Sequence, residues 1–214
     1  MSGLLIQNGR VVTAVDDYRA DILCRDGRIV QIGEDLSVGE DVETVDADGK
    51  LVLPGGVDVH THMENTFGGA TTADTYESGT IAAAFGGTTT IVDFAMQGQG
   101  ERLPEALGRT LERAEPQAGI DFGLHIITTD VNDQALADMK DLIRHEGVTS
   151  FKMFMAYPGV VMVDDAAIFR AMRLVGQHGG MVTLHAENGL VIEQLIREAL
   201  DAGADILLLD NMGI

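Results

Sequence analysis

His60 and His62 stand one residue apart at the end of the run LVLPGGVDVHTH. In an extended strand successive side chains point to opposite faces, so residues two apart share a face and two imidazoles can reach one metal ion. Two histidines can also fall two apart in a loop. The flanking residues favour a strand over 57–62: Pro54, Gly55 and Gly56 break the chain, after which Val57, Val59 and Thr61 alternate with Asp58, His60 and His62.

Lys152 lies within SFKMFMAYPG, an apolar strand, in a chain whose lysines number only three, at positions 50, 140 and 152. An ammonium there snorkels outward, meets a buried acid or loses its proton. As a neutral amine it can add carbon dioxide, and the resulting carbamate is a carboxylate on a long stem, able to bridge two cations roughly 3.5–4 Å apart. HAEN places His185 at the end of the following strand. A single strand histidine is ordinarily a core residue, but with the pair and the lysine it makes three strands offering ligands at one end of a sheet. His125 reads as a core residue, and His145 and His178 precede glycines at helix ends, where a cation suits the helix dipole. Asp58, Asp93 and Glu187 sit near strand ends and could orient the ligands.

The elements that must position these groups fall into two regimes. Residues 4–53 read as short strands joined by tight turns, with Asn8-Gly9, Asp26-Gly27 and Asp48-Gly49 as hairpin dipeptides. From Val57 onward strands alternate with helices. Strands are expected at 57–62, 88–94, 121–127, 150–155, 181–187 and 205–210, with helices near 74–85, 102–114, 132–145, 164–178 and 189–202. That alternation fits a (β/α) barrel, and equally an open doubly wound sheet; in both, function gathers at the carboxyl ends of the strands.

The 214 residues are 45% hydrophobic, enough for a real core, and carry a net charge of −20, which argues against nucleic acid or an anionic membrane surface as a partner. The single cysteine, Cys24, makes no internal disulfide and reads as a small strand residue, in keeping with a reducing cytoplasm. No leader pattern opens the chain and no apolar run reaches the roughly 20 residues of a membrane span.

The motifs PGGVDVHTHMENTFGG, AAAFGGTTTIVDFAMQ, SFKMFMAYPG and HAENG, in this order and spacing, resemble the dihydropyrimidinase and hydantoinase branch of the cyclic amidohydrolases over about residues 4–202. The resemblance implies an α/β fold, an incomplete (β/α)8 TIM-type barrel over residues 55–214 preceded by a small β-sandwich module, of which residues 1–54 are the amino-terminal part. It implies two zinc ions: His60 and His62 on the more buried one, carbamylated Lys152 bridging, and His185 on the second. Tyr157 would donate to the developing oxyanion, while Met63, Phe67 and the loop through Gly69 would line the side of the pocket that takes the ring substituent. The implied reaction opens a hydantoin or dihydropyrimidine ring, a small cyclic ureide or imide, to an N-carbamoyl amino acid. A different class, the non-catalytic dihydropyrimidinase-related assembly proteins, typically lacks the lysine that this chain keeps.

The pattern also breaks. The family uses a further histidine on the second metal and an aspartate from the last barrel strand, and no histidine follows His185. EALDAGADILLLDNM resembles a strand of nicotinate-nucleotide pyrophosphorylase, so a junction is expected near residues 198–203, and Asp210 is assigned to that segment rather than to the missing aspartate. The 214 residues alone are accordingly expected to turn over little substrate. The family is commonly a homotetramer, and an open part-barrel is expected to self-associate through its strand edges.

Overall fold

The computed structural model describes residues 3–39, 41–67 and 69–204; the expected strand at 205–210, with Asp210 and the pyrophosphorylase-like tail, lies outside them. The chain divides into two compact units, Met1–Gly55 and Gly56–Ile214.

In the first unit β1 (Gly3–Val12), β2 (Asp17–Arg25), β3 (Arg28–Gly33), β4 (Val42–Asp46) and β5 (Leu51–Val52) form one five-stranded sheet, ordered β3-β2-β1-β4 with β5 also against β1. Only one of the three expected hairpin dipeptides makes a hairpin. Asp26 and Gly27, with φ of 50° and 72°, form the two-residue turn between β2 and β3. Asp48-Gly49 instead joins β4 to β5, which both run parallel to β1.

Asn8-Gly9 is a bulge inside β1: Ile6 pairs with Ile22, but Gly9 pairs with Ala20, so one extra residue is spent on β1. The slip exchanges faces. Leu5 packs with Leu23 and Val42, whereas Val11, which strict alternation would place beside Leu5, joins Ile22 and Ala20 on the other side. Buried Asp21 holds the bulge, one carboxylate oxygen accepting from the Asn8 N–H at 2.8 Å and the other from the Leu36 N–H at 2.9 Å.

The second unit is α/β. Its parallel sheet contains β6 (Gly56–Asp58), β9 (Thr88–Met96), β10 (Asp121–Ile127), β11 (Ser150–Phe154) and β12 (Met181–His185) in that spatial order. Helices α1 (Tyr76–Phe85), α2 (Leu103–Ala114), α3 (Asp133–Asp141), α4 (Asp165–Gln177) and α5 (Gly189–Asp201) follow the strands in turn. The last turn of the expected 132–145 helix is a π-helical turn, Leu142–Glu146, closed by Gly147 at φ 71°. A two-stranded hairpin, β7 (Thr66–Phe67) with β8 (Ala70–Thr71), lies between β6 and α1.

Side-chain caps start four of these helices: Thr75, Asn132, Asp164 and Asn188 each accept a backbone N–H three residues on. The main core, including Ile126, Phe151, Met153, Met139 and Val175, fills the space between strands and helices. The sheet is curled as part of a barrel. One sign is that the His125 ring on β10 reaches past β9 to the carbonyl of Val59, beyond the end of β6, at 2.9 Å. No helix among the described residues is long and apolar enough to cross a membrane.

Candidate metal centre

β6 stops at Asp58, so His60 and His62 lie beyond the strand and not within it. Just past the strand end, Asp58 Oδ1 accepts the His60 N–H at 3.1 Å, a local side-chain bond outside the ladder. One backbone bond, Thr61 N–H to Val92 C=O at 3.4 Å, still ties the segment to β9. The two rings nevertheless converge, His60 Nε2 lying 3.2 Å from His62 Nε2.

That separation fits a shared ion. Two nitrogens at about 2.0–2.1 Å from a tetrahedral zinc stand about 3.3–3.4 Å apart. Burial, then His60 and Lys152, lower the pKa of His62 and favour the neutral ring that a metal needs. Asn65 faces the other nitrogen, its amide 3.2 Å from His62 Nδ1. The amide nitrogen Nδ2 is the atom that faces the ring, so its N–H donates to Nδ1 and the neutral ring carries its own proton on Nε2, the nitrogen turned to His60. Asn65 was not legible from the motif alone. It is placed by the β7–β8 hairpin, where its N–H donates to Thr72 Oγ1 at 3.0 Å and its carbonyl accepts from Thr72 N–H at 2.9 Å.

Lys152, on β11, has its Nζ 5.4 Å from the Phe154 ring centroid. Burial alone lowers its pKa, with no acid acting against that shift, so the buried-acid alternative finds no support. His185 ends β12 and turns Nε2 to Glu187 at 2.8 Å rather than to His60 or His62, while its ring stacks on Phe154 at 5.6 Å. Among the described residues no three His, Cys, Asp or Glu side chains gather as a metal-binding group. The possible metal donors that the described residues bring within reach of one another are the histidine pair.

Tyr157 follows β11 with a left-handed φ of 61°, and its carbonyl accepts the N–H groups of Val160, Val161 and Met162 at 3.1–3.3 Å. Burial, and then Glu187, raise its phenol pKa, keeping it a hydrogen-bond donor. With His62, Asn65, Met96, Ile127 and Phe154 it lines a cavity of about 430 Å³. Met63 lines a neighbouring cavity of about 990 Å³ that shares Asn65, Met96 and Tyr157. Phe67 lies on β7, but its side chain is outside the described residues, so its expected lining role has no structural counterpart here.

Asp93, 1% exposed on β9, secures the chain just after the pair: Oδ2 accepts from Met63 N–H at 2.8 Å and Oδ1 from Phe94 N–H at 2.6 Å. The phenol of Tyr76, also 1% exposed, is a further hydrogen-bond partner. Burial raises the Asp93 pKa against the lowering effect of these donors. Tyr76→Phe should cost about 1.5–3 kcal/mol, the loss of one hydrogen bond to a buried charged group, as a lower urea midpoint at unchanged m. A midpoint equal to wild type would show that the phenol contributes nothing to this clamp.

Residues 51–211 match the family described as Amidohydrolase family. The chain is 50% identical over 206 residues to a D-hydantoinase of Streptomyces coelicolor, covering 94% of this chain and 44% of that protein. It is 41% identical over 206 residues to dihydropyrimidinase of Rattus norvegicus, covering 94% and 39%. The crystal structure of dihydropyrimidinase from Brevibacillus agri superposes with a TM-score of 0.88 at 45% identity, over 94% of this chain and 43% of that one. The chain thus spans less than half the length of the relatives it matches.

Proposed function

The chain belongs to the amidohydrolase family, and on that premise we propose that its second unit supplies one side of a two-metal site that opens hydantoin or dihydropyrimidine rings to N-carbamoyl amino acids. The observation that carries this reading is the 3.2 Å approach of His60 Nε2 to His62 Nε2, beside a lysine whose pKa is lowered with no acid acting on it. The first unit would be the amino-terminal part of a β-sandwich, as expected from the sequence.

Divalent ions such as zinc, when bound, would polarise the ring carbonyl and acidify a water toward neutral pH. The residues divide the remaining work. His60 and His62 would present their Nε2 atoms to one ion, with His62 giving up its Nε2 proton as the ion binds, and Asn65 Nδ2 fixes the orientation of the His62 ring through Nδ1. Lys152 Nζ, as the free amine, would attack carbon dioxide and lose a proton, which places a carboxylate beside the pair. His185 would serve the second ion after turning from Glu187. Tyr157 O–H would donate to the carbonyl oxygen as water adds to the carbonyl carbon and negative charge builds on that oxygen; collapse then re-forms the C=O bond, breaks the ring C–N bond and passes a proton from the added water to the leaving nitrogen. Met63 would face the ring substituent from the larger cavity.

In these 214 residues no histidine follows His185, so the second metal lacks the further ligand the family uses. We expect the zinc-loaded chain alone to hydrolyse neither hydantoin nor dihydrouracil above background. Co-expression with the carboxyl-terminal half of the Streptomyces coelicolor D-hydantoinase should restore product formation, and His60→Ala should abolish it. Robust metal-dependent turnover by the chain alone would overturn the shared-site reading; metal-independent turnover after complementation would overturn the chemistry.

A further inference from the structure

The His125 side chain on β10 touches the segment carrying the histidine pair, although 66 residues separate it from its partner. Its Nε2 lies 2.9 Å from the Val59 carbonyl, the peptide oxygen immediately before His60. A carbonyl only accepts, so Nε2 carries the proton. Nδ1 is then the accepting nitrogen of the neutral ring, and Ser150 Oγ, on the adjacent β11, hydrogen-bonds to it. Both ring nitrogens are occupied, and neither is left for a metal ion.

Strand pairing of β6 ends with Asp58 against Ile91, and the next backbone bond is made by Thr61. The His-Thr-His triplet is therefore outside the ladder, pinned on one flank by His125 at Val59 and on the other by Asp93 at Met63. Between these pins the ring of Phe94 lies 4.9 Å from each of His60, His62 and His125, centroid to centroid.

The geometry points to His125 as a positioning residue that sets the His60–His62 spacing through the Val59 carbonyl, with Ser150 selecting its tautomer. This rests on the metal-site reading above. It assigns a role to a histidine that strand position alone marks only as core, and it differs from packing in one respect: the Nε2–H bond matters, not the ring. Glutamine can place an N–H donor near the Nε2 position, whereas alanine cannot.

The test is cobalt(II) and zinc(II) titration of the 214-residue chain and of His125→Ala, His125→Gln, Ser150→Ala and His60→Ala, with the cobalt visible spectrum read beside affinity. We expect His125→Ala to weaken binding by about 10- to 100-fold, the usual effect of losing a partner that orients a ligand, and to change the cobalt spectrum. His125→Gln should stay near wild type in both readouts, and Ser150→Ala should fall between the two. If His125→Ala does not fold, the Gln and Ser150 variants carry the comparison. His125→Gln losing affinity and wild-type spectrum, or Ser150→Ala matching wild type, would overturn the assignment. His60→Ala weakening the metal while His125→Ala leaves it unchanged would overturn the positioning role alone; His60→Ala with no effect would overturn the metal reading beneath it.

Discussion

Lys152→Ala should lower metal affinity further than any change among the groups that merely orient ligands, by more than about 100-fold. The expectation follows from the environment of the amine. Burial depresses its pKa, its Nζ lies 5.4 Å from the centre of the Phe154 ring, and among the described residues no acid offsets its desolvation. A charged lysine in that place repels a cation, as it already lowers the pKa of His62. A carbamate reverses the sign of the interaction. Two measurements separate these states: native mass spectrometry should show the mass of one carbon dioxide on the wild-type chain and none on the alanine variant. Calorimetry should show wild-type affinity falling in carbon-dioxide-free buffer and returning with bicarbonate. If removing Lys152 strengthens metal binding, the residue is a repelling ammonium and the bridging role is wrong.

Phe94→Ala is expected to produce the largest loss of stability among single changes at the site, about 3–5 kcal/mol for deletion of a buried phenylalanine. Phe94 is 8% exposed, and its ring supports three imidazoles at once. The cavity would open beneath His60 and His62, which no strand ladder holds, so these rings would lose both packing and spacing. Urea denaturation of the metal-free chain reads the stability term. A destabilisation below about 1 kcal/mol would mean that the neighbouring rings close over the gap.

The order of elements was legible because the signals were long and regular. The apolar runs at 88–94, 121–127 and 150–155 all became strands, and the stretches near 74–85, 102–114, 164–178 and 189–202 became helices. Turn dipeptides were less informative. Asn8-Gly9 has the backbone freedom of a hairpin, yet long-range pairing of β1 on both sides makes it a bulge. At the site, the type and convergence of His60 and His62 could be read from spacing, but the reason given, a shared strand face, was not the one realised. The strand stops at Asp58, whose carboxylate accepts the His60 N–H, a local bond that the alternating pattern of 57–62 conceals. Asn65 and His125 could not be assigned from spacing, since the hairpin and the curl of the sheet create their contacts. Asp93 was visible only as an acid near a strand end.

The reach of His125 across β9 also couples the site to folding. The contact at Val59 closes a span of 66 residues, so in the positioning role inferred above the two imidazoles reach the observed spacing only once β10 has docked. An ion that needs that spacing binds the docked sheet in preference to the unfolded chain. It therefore stabilises long-range strand order by RT ln(1 + [L]/Kd), and metal present during refolding favours chains in which β6, β9 and β10 have already assembled.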